Sequence, residues 1–123
     1  MFRNLTPHDI RLRIDESNEA IPLETDIVYL KDPLTLRIDE TVVSEIIVDN
    51  IRIRLVDLGE IIGLPEYIEG TYLIVSMPTA IQAWKIGRRD VVAPDTSEDA
   101  IRFTLPNGQN GTYAVRSFRF LRT

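Results

Sequence analysis

Side chains able to bind an anion are concentrated in residues 87–96, GRRDVVAPDT. Arg88 and Arg89 precede a short apolar run, Asp90 opens it, and Asp95 and Thr96 close it. Guanidinium forks bind phosphate or carboxylate groups in a bidentate geometry, while the carboxylates and the hydroxyl suit a ribose or a phosphate. The segment therefore predicts a site for a small anionic ligand. Alternatively, the carboxylates only pair with the arginines, although exposed pairs add only about 0–1 kcal/mol of stability.

His8, in the segment NLTPHD, is the only histidine of the chain. Nucleophilic catalysis of the Ser-His-Asp type would have to run through it, and an acid–base mechanism would pair it with Asp95. With no cysteine in the chain, a metal site would need His8 and carboxylates alone, and no spacing of metal ligands is present. We expect no metal and no cofactor. A histidine that follows a proline near a strand is also typical of a structural hydrogen-bonding residue.

Two further segments offer donors for an anion. In IVSMPTA, Ser76 stands at the start of a predicted helix, whose orphan N–H groups and dipole attract negative charge. Near the chain end, Arg102 and Arg116 alternate with apolar and aromatic residues, a pattern that can bind phosphates and stack bases. Ser76 can equally be a simple helix cap, and charged residues on a strand can equally protect a sheet edge.

Strand patterns dominate the elements that must position these residues. Alternation or continuous apolar runs predict strands over 10–14, 25–32, 34–48, 51–61, 71–76 and 90–95, and a closing hairpin over 100–122. Asp49-Asn50 is a tight-turn signal, and the last hairpin has its turn signals at 106–108 and Asn110-Gly111. One helix is predicted, from Met77 after the buried central strand to a stop at Gly87. We expect a single α+β, β-rich domain over 1–123, with about eight mostly antiparallel strands and one short helix.

Charge is unevenly distributed along the chain. The net charge is −5, which argues against general nucleic-acid binding. The first 70 residues are strongly acidic, whereas the last 53 carry a small basic excess. The sequence shows no membrane-length apolar run and no signal region, so a cytoplasmic protein is expected.

Three motifs, in order, carry a resemblance to a known family. The chain resembles small proteins of tailed phages and their hosts, which have an Asn-Leu-Thr-Pro-His start and a Val-Val-x-Pro-Asp-Thr-Gly-Pro motif. The resemblance is carried by NLTPHDI, by GTYLIVSMPTAI, and by DVVAPDT followed by a hairpin with YAVRSF. The family's Gly-Pro is Ser97-Glu98 here. The resemblance lends no settled activity, but it implies a phage or prophage origin, the host cytoplasm as location, and a shared pocket. The matching positions are Asn4, Leu5, Thr6, Pro7, His8, Ser76, Asp90, Val91, Val92, Pro94, Asp95, Thr96, Arg102, Val115, Arg116 and Phe118.

The favoured hypothesis is a small phage-type accessory protein that binds an anionic molecule, with a nucleotide as the favoured ligand, without catalysis. It could act as a sponge for a signal of host anti-phage defence. The expected ligand-binding residues are Asn4, Thr6, His8, Ser76, Arg88, Arg89, Asp90, Asp95, Thr96, Arg102 and Arg116. The alternatives are a protein-interaction module that inhibits a host protein, and a nucleotide hydrolase or lyase that uses His8 and Asp95. A homo-oligomer is a further option for the partner, because small β-rich binders often build pockets between subunits.

Overall fold

The computed structural model describes residues 1–34 and 36–122, and it confirms the β-rich class with one short helix. Most strand pairs are antiparallel. In chain order the elements are β1 (Phe2–Asn4), β2 (Ile10–Leu12), β3 (Ile27–Tyr29), β4 (Arg37–Val48), β5 (Ile51–Ile62), β6 (Tyr72–Ile74), α1 (Met77–Lys85), β7 (Val91–Pro94), β8 (Ile101–Thr104), β9 (Asn110–Ala114) and β10 (Phe118–Arg119).

A four-stranded sheet in the order β1-β6-β7-β10 forms the centre of the fold. The predicted central strand is confirmed as β6, and Leu73, Ile74 and Val75 are almost completely buried. A continuous apolar run suits this position because both faces of the strand are covered. β6 pairs in parallel with β1 on one side and with β7 on the other, whereas β10 joins β7 antiparallel.

Helix α1 connects the two parallel strands β6 and β7. Ser76 is its N-cap residue, Pro78 lies in its first turn, and Gly87 follows its end with a φ of 88°. The missing N–H of proline costs nothing in the first turn, and glycine adopts positive φ without a steric penalty. The helix buries Trp84, whose Nε1 donates to the carbonyl oxygen of Val91 at 2.8 Å. This contact anchors the last turn of the helix to the start of β7, while the first turn follows directly after the carboxyl end of β6.

Three two-stranded antiparallel pairs surround this centre: β2–β3, β4–β5 and β8–β9. The hairpin predicted at Asp49-Asn50 is present, with φ values of 51° and 63° at the two turn residues. Positive φ at both positions is what a two-residue hairpin turn of this type requires. β3 is shorter than the strand predicted over 25–32. β4 begins at Arg37, whereas the sequence predicted a start at residue 34; Thr35, within the predicted strand, lies outside the described residues.

The chain end differs in detail from the sequence expectation. Asn110-Gly111 is not a turn, because both residues lie in β9 and Asn110 pairs with Thr104. The loop closes before them: the N–H of Leu105 donates to the Gln109 carbonyl at 2.7 Å, and Gly108 has a φ of 85°. The last residues do not extend this hairpin either, since β10 pairs with β7. Thr123, at the end of the chain, lies outside the described residues.

A search of the described residues for a helix long and apolar enough to cross a membrane finds none.

Candidate functional site

A pocket of about 670 Å³ lies beside the carboxyl ends of β6 and β7. This volume falls within the range of about 300–1,000 Å³ that is usual for small-molecule sites. Five parts of the chain form its walls: the turn between β1 and β2, the start of β2, the β6–α1 junction, the end of β7, and β9 with β10. The lining residues are Thr6, Pro7, His8, Asp9, Ile10, Arg11, Ser76, Met77, Pro94, Thr96, Thr112, Tyr113, Ala114, Val115 and Arg119.

Asn4 shapes the turn that carries Thr6 and His8. Its side chain is buried, and Nδ2 donates to the carbonyl oxygens of His8 at 2.7 Å and Tyr29 at 2.9 Å. Its Oδ1 accepts from the N–H of Thr6 at 3.0 Å and lies 2.6 Å from the Thr6 hydroxyl. All the polar atoms of this amide are therefore engaged within the protein. Asn4 positions the pocket wall and does not line it, whereas Thr6 and His8 do.

The start of α1 forms another part of the wall through Ser76 and Met77. The Ser76 side chain makes no capping hydrogen bond to the helix backbone; its Oγ lies 3.1 Å from the hydroxyl of Thr79. The N–H groups of the first turn therefore receive no acceptor from Ser76. Such orphan donors, together with the helix dipole, favour a negatively charged group at this end of the helix.

Two arginines that the sequence did not single out, Arg11 and Arg119, line the pocket. Arg11 donates to Asp26 at 3.2 Å, and its guanidinium lies 5.3 Å from the ring centroid of Tyr113. The buried Asp26 is shared with Arg13, so the three groups together keep one excess positive charge. The hydrogen bond from Arg13 is the main cause that holds the pKa of Asp26 below its usual value, despite the burial of this carboxylate. Arg119 is exposed and forms no ion pair with any carboxylate of residues 1–34 or 36–122.

The Tyr113 hydroxyl is the one buried side-chain polar atom with no hydrogen-bond partner in the described part of the chain. Buried hydroxyls are normally satisfied, so the Tyr113 hydroxyl retains an unused hydrogen-bond donor. The ring adds an aromatic surface to the wall, and Ile10, Met77 and Pro94 add apolar surface. Asp9 is the acidic member of the lining, and its Oδ1 accepts from the N–H of Lys31 at 2.8 Å.

The end of β7 divides the predicted motif between two environments. Pro94 and Thr96 line the pocket, whereas Asp95 does not. Asp95 accepts from the N–H of Ser97 at 3.0 Å, and its own N–H donates to the Ser117 carbonyl at 3.0 Å. The side chain of Ser97 and then its N–H lower the pKa of Asp95, which keeps this carboxylate ionised. Asp95 thus closes the turn after the strand.

Arg88, Arg89 and Asp90 lie outside the pocket lining. Arg88 binds the buried Asp90 through two parallel hydrogen bonds, at 2.9 Å from Nε and at 2.8 Å from Nη2. The guanidinium of Arg89 lies 5.6 Å from the ring centroid of Phe120. This arrangement corresponds to the structural alternative considered for the segment, in which the acid and the arginine hold each other.

Arg102 and Arg116 bind protein acceptors near the pocket. Arg102 donates to the Thr112 hydroxyl at 3.1 Å and to the carbonyl oxygen of Thr96, and so connects two lining segments. Arg116 donates to the Asp15 carbonyl at 2.8 Å and to the Asp99 carbonyl at 3.2 Å. Both side chains join loops, and neither is part of the lining.

The structure thus brings Thr6, His8, Ser76 and Thr96 to one pocket, whereas the other seven predicted residues lie outside its lining. Sequence reasoning missed Arg11, Arg119 and Tyr113. Both arginines lie in segments where charged and apolar residues alternate, Arg11 in IRLRI and Arg119 in SFRFLR. Alternation predicts a strand, but it does not show which face of the strand borders a cavity. Among the described residues there is no group of three or more His, Cys, Asp or Glu side chains placed to hold a metal ion.

Comparison of the chain with protein-family models, with curated proteins and with solved structures finds no match in any of the three.

Proposed function

We propose that the protein binds a small anionic molecule, a nucleotide, in this pocket and releases it unchanged. The observation that carries the proposal is the composition of the wall. The guanidinium groups of Arg11 and Arg119 and the open start of α1 border a cavity of about 670 Å³ that also has an aromatic and apolar surface. Guanidinium groups and helix N-termini bind phosphates, and the remaining wall suits a base.

A nucleotide fits this chemistry better than a free phosphate ion. A phosphate would use only the cationic part of the wall, leaving the ring of Tyr113 and the side chains of Ile10, Met77 and Pro94 without a partner. Asp9 and the hydroxyls of Thr6, Thr96 and Thr112 provide acceptors and donors for a ribose. A ligand with a charged end, a polar middle and a flat ring would use all three parts.

Binding without catalysis is favoured by the position of the only acid–base pair that the sequence suggested. His8 lines the pocket, but Asp95 faces Ser97 and lies outside the lining. A general acid and a general base must both come within hydrogen-bond reach of the reacting group. The pair therefore offers one candidate group to the ligand instead of two.

In a tailed phage or its host, a protein of this kind would act by sequestration of a nucleotide signal of defence. This part of the proposal rests on the resemblance of the NLTPH and VVAPDT segments, whose Thr6, His8 and Thr96 line the pocket. Sequestration needs affinity and no chemistry, in keeping with a pocket that holds a ligand through several polar groups.

A capture-and-release experiment tests the proposal. The protein is incubated with a mixture of cyclic oligonucleotides and ADP-ribose derivatives, washed and denatured, and the released compounds are identified by mass spectrometry. Recovery of an intact nucleotide from the wild type, but not from Arg119→Ala, is the expected result. Arg122→Ala, which removes the same charge outside the pocket lining, is the matched control. Recovery of an altered nucleotide would show that the protein is an enzyme and not a simple binder. Recovery of no nucleotide at micromolar protein would refute the proposal.

A further inference from the structure

A second cavity, of about 380 Å³, borders the pocket beside β6 and β7. Its volume also falls within the range of small-molecule sites. Thr6 and Pro7 line both cavities, so the wall that the two cavities share is two residues wide. Two residues span at most about 7 Å of chain. A single extended ligand can therefore reach from the first cavity into the second.

A hydrogen bond joins the linings of the two cavities at another point. Asp9 lines the first cavity and Lys31 lines the second, and Asp9 Oδ1 accepts from the N–H of Lys31 at 2.8 Å. The next N–H along the chain, that of Asp32, donates to the carbonyl oxygen of Asn4 at 2.7 Å. The segment that carries Lys31 is therefore fixed against the turn between β1 and β2.

The shared wall is held in place by the protein itself. Asn4 Nδ2 donates to the carbonyl oxygen of His8 at 2.7 Å, and Asn4 Oδ1 accepts from the N–H of Thr6 at 3.0 Å. The ring of Pro7 restricts the backbone further, because it fixes φ. A preformed wall lowers the ordering cost of binding, so both cavities are available to one ligand without rearrangement of the turn.

The lining of the second cavity carries one excess positive charge. Its acidic residue, Asp32, is already engaged: the carboxylate pairs with Arg3 at 3.1 Å and accepts from the N–H of Leu34 at 2.9 Å. Lys31 is exposed, and it takes part in no ion pair in the part of the chain that the structure describes. An ammonium group without a carboxylate partner is a suitable donor for a phosphate.

The remaining surface of the second cavity is apolar. Leu5 belongs to the hydrophobic core and Leu36 packs against it, so this part of the lining rests on the body of the fold. Pro7, Pro33 and Leu34 complete the apolar surface. A base can pack on these side chains while a phosphate of the same nucleotide lies at the ammonium group.

We propose that the ligand is a dinucleotide, with one nucleotide unit in the pocket at Arg119 and the other unit in the second cavity at Lys31. This inference rests on the proposed function and names the ligand class of the same site. Each cavity combines a cationic side chain with an apolar surface, and the two share a wall, as two linked units of similar chemistry require. Because the link makes binding of the second unit intramolecular, it can raise the affinity by about 100-fold or more.

Isothermal titration of the full chain with nucleotides of known composition tests this proposal. The probes are the ribonucleoside 5′-monophosphates, the matching 5′-diphosphates, and the matching 5′-phosphorylated dinucleotides pApA, pCpC, pGpG and pUpU. A diphosphate carries about the same charge as a dinucleotide but contains one nucleoside, so it is the control for charge. For at least one base, the dinucleotide is expected to bind about 100-fold more tightly than the monophosphate, and clearly more tightly than the diphosphate.

Lys31→Ala separates the second cavity from the first. The substitution is expected to weaken dinucleotide binding by about tenfold or more and to leave monophosphate binding unchanged. The hydrogen bond of residue 31 to Asp9 comes from the backbone and survives the substitution, so the fold should be retained. Lys85→Ala is the matched control: it removes the other lysine of the chain, at the end of α1 and outside both linings, and should change neither affinity.

The possible failures of the two proposals are distinguishable. A monophosphate or diphosphate that binds as tightly as its dinucleotide would overturn the dinucleotide proposal and leave the proposed function intact. So would a dinucleotide whose affinity does not fall in Lys31→Ala, or a longer single strand that binds more tightly than the dinucleotide, since its contacts would extend beyond the two cavities. If none of the probes binds at micromolar concentration, both proposals fail.

Discussion

Replacement of Tyr113 by phenylalanine is predicted to change stability and ligand binding in opposite directions. The Tyr113 hydroxyl is buried and has no partner among the described residues, while the ring packs under the guanidinium of Arg11. A buried unsatisfied polar group costs about 1–3 kcal/mol. Tyr113→Phe removes the hydroxyl and keeps the ring, so the cost disappears and the packing stays.

The free energy of unfolding of the ligand-free protein should therefore rise by as much as about 1–3 kcal/mol. For a domain of this size, each kcal/mol corresponds to about 4 °C in Tm. The affinity for the nucleotide should fall by about tenfold or more, because a hydrogen bond to a charged group contributes about 1.5–3 kcal/mol. One substitution thus separates the role of the hydroxyl in the free protein from its role in the complex.

Urea unfolding followed by Trp84 fluorescence measures the first effect, and isothermal titration with the captured nucleotide measures the second. The indole of Trp84 is buried and donates to Val91, so its emission reports the body of the fold. Tyr67→Phe, at an exposed loop position, should change neither quantity. A destabilised Tyr113→Phe that binds with wild-type affinity would show that the hydroxyl already has a partner in the protein and that the reasoning fails.

Three other substitutions or conditions give further tests. Folding lowers the pKa values of three carboxylates: that of Asp26 chiefly through Arg13, that of Asp32 chiefly through the N–H of Leu34, and that of Asp95 chiefly through Ser97. The stability that these carboxylates contribute is therefore complete above the ordinary pKa of 3.8 and is lost as the pH falls through the lowered values. Urea unfolding between about pH 5 and pH 2 should show this loss, and Asp26→Asn should reduce its steepness; equal slopes would contradict the assignment. Gly111→Ala should lower the free energy of unfolding by about 1–3 kcal/mol, because an added Cβ meets the ring of Phe103. Phe103→Leu in the same chain should recover most of this loss. A double variant that is no more stable than Gly111→Ala alone would exclude the clash. Arg88→Ala leaves the buried Asp90 without its partner and should cost about 3 kcal/mol in urea unfolding, while nucleotide affinity should be unchanged. A loss of affinity with intact stability would instead place Arg88 in the binding site.

Local signals predicted the elements that depend on neighbouring residues. The turn at Asp49-Asn50 and the helix between Ser76 and Gly87 follow from φ preferences and capping, which are properties of a few adjacent residues. β1 was not predicted, because a three-residue strand shows no periodicity and its parallel partner lies about 70 residues further along the chain. The parallel pairing in the central sheet is likewise a tertiary property that alternation does not encode.

The candidate site shows the same division. Thr6, Ser76 and Thr96 stand at segment ends, where polar residues often face a ligand, and the pocket includes all three. The arginines could not be assigned in this way, because a long side chain can reach acceptors in several directions. Arg88 binds Asp90, two residues further on, whereas Arg119 reaches the pocket from a strand whose place was set by its pairing with β7.

The most direct test of the proposed binding site is a titration of the captured nucleotide into the wild type, Arg119→Ala and Arg89→Ala under the same salt conditions. Both substitutions remove one exposed guanidinium, but only Arg119 lines the pocket. The proposed site predicts that Arg119→Ala weakens binding by about tenfold or more and that Arg89→Ala has no effect. Equal losses in both variants would show that general charge attracts the ligand, and a loss confined to Arg89→Ala would place the site elsewhere on the protein.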